Sequence, residues 1–289
     1  MKDKFTKTID PNLMPLVAKV KAALRKWNLV TVCDSARCPN QYECYSGSNV
    51  TFMILGTVCT RSCRFCSVKK GKTALPDSGE PSRIAAAINE IGLKYAVITS
   101  VTRDDLADYG AGQFIDTVVQ IREKNKGLKI ELLIPDFNGN SELIKKVALT
   151  DANVIGHNVE TVERFYGKYK PESSYDRSIY VIHKLKQANP QILTKSALMV
   201  GLGEEKREVF KVLKDLKGVD CDMAVIGQYL CPSKAERPAQ RTATREEFGE
   251  YEAFGREIGI SVMAGHFARS SYMAEEFYKD YSSKRGLNA

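Results

Sequence analysis

Six of the eight cysteines fall within residues 33–66, in two sets of three. One set lies in Cys59-Thr60-Arg61-Ser62-Cys63-Arg64-Phe65-Cys66, the other in Cys33-Asp34-Ser35-Ala36-Arg37-Cys38-Pro39-Asn40-Gln41-Tyr42-Glu43-Cys44. A structural zinc site needs four closed ligands, commonly as paired Cys-x2-Cys knuckles, and no second knuckle accompanies Cys63 and Cys66. A four-iron cubane cluster accepts thiolates on its irons, so three thiolates leave one iron for another ligand. An open coordination position is where metal chemistry takes place.

The elements that must hold these cysteines read as an α/β protein. Short β-rich runs at Val50–Leu55, Tyr95–Thr99, Lys129–Ile134, Asn153–Ile155, Ile192–Val200 and Met223–Ile226 alternate with amphipathic helical patterns. Ile84, Ala87, Ile88 and Ile91 lie on one helical face, closed by Gly92; Val209, Val212, Leu213 and Leu216 repeat the spacing. Six strand-then-helix units predict a partial (β/α)6 TIM-type barrel of parallel strands. The expected division is an N-terminal extension at 1–49, the barrel at 50–230, and a C-terminal extension at 231–289. Pro11 should open a helix through Leu13, Leu16, Val17, Val20 and Leu24, and Thr244 with Glu247 forms a capping box for a late helix. Chemistry in such barrels gathers at the C-terminal ends of the strands, which puts the loop of Cys59 over the mouth.

Composition limits the possibilities. The chain has 289 residues, 43% hydrophobic and 27% charged, with a formal net charge of +8. No apolar run is long enough to cross a bilayer, and Met1-Lys2-Asp3-Lys4-Phe5 lacks the apolar core of a signal peptide. The expectation is a cytoplasmic protein in which cysteines serve metal or redox chemistry. The basic residues are dispersed, without the aromatic interleaving of a nucleic-acid groove. Neither nucleic acid nor membrane is expected as a partner, and an acidic protein substrate suits the charge.

The Cys59–Cys66 loop after a first barrel strand resembles the radical S-adenosylmethionine (SAM) superfamily. There SAM chelates the fourth iron, and an electron from the cluster cleaves its sulfonium to release methionine and a 5′-deoxyadenosyl radical. The resemblance implies that Phe65 lies near the adenine and that Gly201 and Gly203, in Met199-Val200-Gly201-Leu202-Gly203-Glu204, approach SAM. Taken alone, Phe65 reads as core and the glycines as turn geometry.

The upstream triplet narrows the resemblance to lipoyl synthase. Agreement extends along nearly the whole chain, through Arg37-Cys38-Pro39-Asn40, Phe52-Met53-Ile54-Leu55-Gly56, Val97-Ile98-Thr99-Ser100-Val101, Arg103-Asp104-Asp105-Leu106, Leu133-Ile134-Pro135-Asp136-Phe137, His157-Asn158-Val159-Glu160-Thr161, Gly227-Gln228-Tyr229-Leu230 and Arg269-Ser270-Ser271-Tyr272. The resemblance implies two 4Fe-4S clusters, one on Cys59, Cys63 and Cys66, the other on Cys33, Cys38, Cys44 and Ser271. It implies SAM as co-substrate, two per product, with Asn158 and Glu160 facing SAM or substrate. The implied reaction inserts sulfur from the auxiliary cluster at carbons 6 and 8 of a protein-bound octanoyl chain. Implied partners are an octanoylated lipoyl-carrier protein, an electron donor such as a ferredoxin or flavodoxin, and an iron–sulfur carrier that rebuilds the cluster. Serine is a harder ligand than thiolate and a weaker match for iron, which suits a corner that must open. Taken alone, Arg269-Ser270-Ser271 would read as a helix N-cap pair, and His157–Glu160 as a hydrogen-bonded turn.

The chain departs from the family pattern at Tyr45, where tryptophan is common, at Ala197, where glycine is common, at His266-Phe267-Ala268 and at Cys231-Pro232-Ser233. Cys221 and Cys231 read as small hydrophobes. Two other readings remain open: a radical SAM enzyme inserting sulfur into a small molecule or tRNA, and a non-catalytic iron–sulfur carrier or metal-bound nucleic-acid-binding protein.

Overall fold

The computed structural model describes residues 10–231 and 238–286; residues 1–9, with the Met1–Phe5 stretch, and Pro232-Ser233 lie outside them. A 3-10 turn at Pro11–Leu13 leads into α1 (Met14–Lys26), followed by α2 (Val32–Ser35) and α3 (Gln41–Ser46). Then come β1 (Thr51–Ile54), the two-residue strands β2 (Val58–Cys59) and β3 (Lys69–Lys70), α4 (Glu80–Ile91) and β4 (Tyr95–Ser100). The pattern continues with α5 (Ala111–Lys124), β5 (Lys129–Leu133), α6 (Ser141–Ala148), β6 (Val154–Gly156), α7 (Tyr166–Tyr169), α8 (Tyr175–Ala188) and β7 (Leu193–Val200). It closes with α9 (Lys206–Gly218), β8 (Met223–Gln228), α10 (Arg245–Ile258), β9 (Ser261–Gly265) and α11 (Ala274–Lys284).

All six expected strands form, and every pairing in the main sheet is parallel, in the chain order β1-β4-β5-β6-β7-β8-β9. The seventh strand, β9, falls in the segment read as C-terminal extension. Its Ser-Val-Met-Ala-Gly sequence is only half buried, so it lacks the continuous apolar run that marked the others. Among the described residues β1 and β9 do not pair, and the sheet stays open. The edge at β1 is partly covered by the N-terminal extension: Thr31 bridges Phe52, and Met53 N–H donates to the Val30 carbonyl.

The two faces of the sheet bury different partners. Phe52, Ile98, Ile130, Leu132, Leu198 and Ile226 belong to the core shared with the outer helices. Alternate residues (Tyr95, Val97, Val154, Ala197, Val225) pack instead against Phe277, Tyr278 and Tyr281 of α11. Period-two alternation puts the two sets on opposite sides. On the α11 side a buried Lys195–Glu131 ion pair is completed by the Tyr95 hydroxyl, 2.6 Å from Glu131. Ala197, glycine in the family pattern, is therefore a packing position.

Helix ends follow the expected signals. Gly92 ends α4 at φ 82°, a left-handed conformation that glycine adopts without strain. Thr244 and Glu247 form the reciprocal capping box of α10. In α1, Val17, Val20 and Leu24 are buried, whereas Leu16, and Leu13 just before the helix, are exposed. Ala23 takes the fourth inward position, because one helix packed on α3 and α4 buries a single narrow stripe.

Candidate active site and its two cysteine loops

Because every strand of the sheet is parallel, the loops after β1, β4, β5, β6, β7 and β8 all emerge on one side. The Cys59–Cys66 loop follows β1. It is fixed by backbone and side-chain groups of neighbouring loops. Arg61 is 5% exposed and is gripped by two carboxylates. Its Nε and Nη2 donate to Asp104 at 2.8 Å, and its Nη1 and Nη2 to Asp136 at 2.8 and 2.7 Å. Burial would raise the Asp136 carboxyl, but the Arg61 guanidinium holds it well below the usual carboxylate range. Such a desolvated cation is tolerated because its donors are matched in bidentate pairs. Thr60 donates to Thr102 O, Arg64 N–H to Tyr169 O and Ser62 N–H to Glu172. Arg103, 1% exposed, ties Leu55 O and Ala74 O to Asp105. Phe65 is half buried against the main core.

The second loop is built by α2 and α3. Thr31 caps α2 by accepting from Asp34 N–H at 3.2 Å, which presents Cys33; Cys44 sits on α3. Tyr45 is fully buried, its hydroxyl 2.8 Å from Thr31 Oγ1, so the departure from tryptophan is filled by a hydrogen-bonded ring. The other wall comes from the opposite end of the chain. Cys33, Cys38 and Cys44 line one small cavity together with Arg269, Ser271 and Tyr272. Asn40 Nδ2 donates to Phe267 O at 2.7 Å across a sequence separation of 227, and Tyr272 OH donates to Glu43 at 3.0 Å. His266 packs on the Phe248 ring at 5.0 Å and bonds the Ala243 carbonyl at 2.8 Å, so this departure also supports the loop that carries Ser271.

Ser270 and Ser271 do not cap a helix. The N-cap of α11 is Met273, in a left-handed conformation and without a side-chain cap. Ser270 instead donates to Asn158 Oδ1 at 3.2 Å, while Ser271 faces the cavity of the cysteines.

The segment after β6 lies between the two loops. His157 is buried, its ring nitrogens 2.9 Å from Ile134 O and 3.1 Å from Ser178 Oγ. Burial and the Lys170 ammonium push it down to about 3. Asn158 hydrogen-bonds the Glu160 carboxylate as well as Ser270. Glu160, at φ 68°, is anchored to β7 through Ala197 O and Met199 N–H. Burial raises its carboxyl, opposed by Lys170 and Asn158. Gly201 and Gly203 have φ near 101° and 103°, and a Cβ on Gly201 would stand 2.1 Å from Gln228 Nε2. Glu204 accepts from Gly201 and Leu202 N–H at 2.7 and 2.8 Å, so the glycine turn is shaped by the protein's own side chains.

The donor set fits iron–sulfur clusters. Burial pushes the Cys63 thiol up to about 12 and raises Cys66 and Cys33; the positive charge of a bound metal would offset that burial and favour the thiolates. Within each triplet the sulfurs are close enough that negative charge on its neighbours raises Cys33 in one and Cys63 in the other. Among the described residues no three ligating groups stand at the spacing of a single metal ion; thiolates that each reach a different iron of a cube stand farther apart. Asn40 Oδ1 is buried without a partner beside the second triplet. Arg61, Asp136 and Lys170 are parts of the site that residue patterns did not single out. Only their place within or beside quoted segments could have pointed to them. Cys221 is buried, with its sulfur toward Thr194 and Met223 carbonyls.

Comparison with known proteins gives the family and the fold. Residues 53–216 match the family model of the radical SAM superfamily. The chain is 49% identical to lipoyl synthase from Caldicellulosiruptor bescii over 253 residues, 87% of each chain. It is 48% identical to lipoyl synthase from Alkaliphilus metalliredigens, over 89% of each. Identity to lipoyl synthase from Klebsiella pneumoniae is 45%, over 89% of this chain and 80% of the relative. Among solved structures, methylornithine synthase aligns with a TM-score of 0.55 at 15% identity, covering 91% of this chain and 83% of that one. HydG, a maturase of the FeFe hydrogenase, aligns at 0.56 and 15%, covering 93% and 71%. These structures share the fold, and the sequence relatives decide the family: the chain belongs to the lipoyl synthases of the radical SAM superfamily.

Proposed function

We propose that the residues on this side of the sheet divide into two cluster sites with separate tasks in lipoyl synthesis. Cys59, Cys63 and Cys66 hold the cluster that binds SAM; Cys33, Cys38, Cys44 and Ser271 hold the auxiliary cluster. When bound, the first supplies the electron for SAM cleavage and the second the sulfur that enters carbons 6 and 8 of the octanoyl chain. Asn158 and Glu160 face SAM or substrate and hold the two sites in register. Phe65, Gly201 and Gly203 shape the SAM pocket. Residues 1–49 and 231–289 act as the extensions that enclose the auxiliary site around the barrel of 50–230, the second also contributing β9 and α11.

One observation carries this reading: Ser271 shares a cavity with three cysteines from the other end of the chain. A radical SAM enzyme acting on a small molecule or tRNA has no evident need for that assembly, and a simple iron–sulfur carrier has no need for the SAM loop.

The substrate is an octanoylated carrier protein, drawn by the chain's positive charge. A ferredoxin or flavodoxin supplies electrons, and an iron–sulfur carrier rebuilds the auxiliary site. No described helix is long and apolar enough to cross a membrane, and all eight cysteines are free, in keeping with a reducing cytoplasm. The test is anaerobic reconstitution followed by incubation with SAM, dithionite and an octanoylated carrier peptide. The expected peptide mass shows two sulfurs in place of two hydrogens, with two 5′-deoxyadenosines per product. SAM cleavage with an unchanged peptide would rule the function out.

A further inference from the structure

The segment after Cys66 runs Ser67-Val68-Lys69-Lys70-Gly71-Lys72-Thr73-Ala74-Leu75, and the mechanism assigns it nothing. Lys69, Lys70 and Lys72 are all exposed, and among the described residues none of the three has an ion-pair or ring partner. Their position is fixed. β3 pairs with β2 so that Lys70 stands opposite Cys59, and Gly71 N–H donates to Cys59 O at 3.2 Å. At the other side Lys70 lies close enough to act electrostatically on the Cys66 sulfur. Farther on, Thr73 donates to Asp105 at 2.7 Å and Ala74 O accepts from Arg103 at 2.8 Å. This frame leaves Leu75 at 91% exposure. Three unpaired cations and one fully presented apolar side chain thus form the outer wall of the Cys59–Cys66 loop.

We propose that this tongue, Lys69 to Leu75, is the docking surface for an acidic protein that delivers one electron at a time. The proposal rests on the radical SAM reading of the adjacent cysteines. Homolytic cleavage of the sulfonium C–S bond of SAM consumes one electron, and the donor leaves oxidised by one electron, so the balance closes. Electron transfer falls steeply with distance, which favours contact at the outer wall of the loop rather than elsewhere. Transient redox encounters are small and steered by charge. Free lysines give an acidic partner a fast, salt-sensitive approach, and Leu75 gives it an apolar seat.

A second basic groove provides the control. Lys94, Lys124, Lys126 and Lys129 border a cavity at the N-terminal ends of β4 and β5, the ends opposite the Cys59–Cys66 loop. Binding of flavodoxin to the reconstituted protein is measured by calorimetry at low and high salt, alongside SAM cleavage driven by flavodoxin or by dithionite. Lys69→Glu/Lys72→Glu is expected to weaken flavodoxin binding at low salt by about tenfold or more and to flatten its salt dependence. Dithionite-driven cleavage is expected to stay at the wild-type level, and Lys94→Glu/Lys126→Glu to bind as wild type. Leu75→Ser should weaken binding without changing the salt slope. Unchanged flavodoxin affinity in Lys69→Glu/Lys72→Glu overturns the proposal, as does an equal loss in Lys94→Glu/Lys126→Glu. If Lys69→Glu/Lys72→Glu loses affinity for an octanoylated carrier domain but keeps it for flavodoxin, the tongue serves the substrate and the proposal fails. Wild-type protein that cleaves no SAM with dithionite would instead overturn the functional reading beneath it.

Discussion

The loop of Cys59, Cys63 and Cys66 is held by its own barrel, whereas the loop of Cys33, Cys38 and Cys44 is held by the far end of the chain. In the first, Arg61 grips carboxylates that emerge from the ends of β4 and β5, so the strands that make the sheet also set the cysteines. In the second, α2 and α3 are short, and closure depends on contacts such as Asn40 to Phe267 and Tyr272 to Glu43. Ser67 Oγ, donating to Ser35 O at 2.8 Å, is a direct tie between the two loops. A rigid site that must be reused and a site whose cluster must open call for different amounts of support. On the ligand assignment proposed above, Ser271 would be the corner of the second site that is held least tightly.

The largest effects should come from removing each triplet. Cys59, Cys63 and Cys66 changed together to alanine should halve the iron from about eight per chain and abolish SAM cleavage. Cys33, Cys38 and Cys44 changed together should also halve the iron, leave SAM cleavage intact and form no carbon–sulfur bond. Lipoyl product from the latter variant would break the comparison, because both loops would then serve one cluster or none.

Arg61→Ala comes next. It leaves the buried Asp136 with only the longer Arg177 contact at 3.5 Å, a loss of up to about 3–5 kcal/mol, read by chemical denaturation of the reconstituted protein. Pairing it with Asp136→Asn should recover part of the loss. An Arg61→Ala variant as stable as wild type would mean that the barrel does not hold the loop through this clamp.

Ser271→Ala sharpens the account of the auxiliary site. Iron content and SAM cleavage should largely persist, while product formation falls by about tenfold or more, since a water or thiol replaces a specific ligand. Ser270→Ala removes the hydrogen bond to Asn158, a contact worth about 0.5–1.5 kcal/mol, and should affect turnover far less. Reversal of that order would move the ligand to Ser270.

The smallest effect concerns acid. The His157 ring is pushed down to about 3 from the usual 6.5. Between those values the unfolded chain binds one proton more, so this group's contribution to stability is present above pH 6.5 and is lost as pH falls toward 3. The slope approaches about 1.4 kcal/mol per pH unit below pH 5.5. Denaturant midpoints of His157→Gln should be lower at neutral pH and show a shallower acid slope than wild type; equal slopes would exclude the histidine as the cause.

Much of this molecule could be read without coordinates. Strand positions were legible because strands buried on both faces carry near-continuous apolar runs, and Gly92 and the Thr244–Glu247 box mark helix ends by local chemistry alone. The weakly patterned β9 escaped, as did α11, since nothing in Phe277, Tyr278 or Tyr281 says that they cover a sheet. The cysteine spacings declared two metal sites, because three thiols on one short segment have few other uses. Their closure was a different matter. Ser271 could be named only through resemblance; that it lines one cavity with Cys33, Cys38 and Cys44 depends on bringing together residues more than two hundred positions apart. The Arg61 clamp, the Asn158 bridge to Ser270 and the exposed tongue at Lys69–Leu75 depend likewise on which strand ends meet. Local composition determines which segments become strands and ligand loops, because those preferences act within a few residues. Which loops share a cavity is decided by the sheet, whose parallel order carries distant segments to one side.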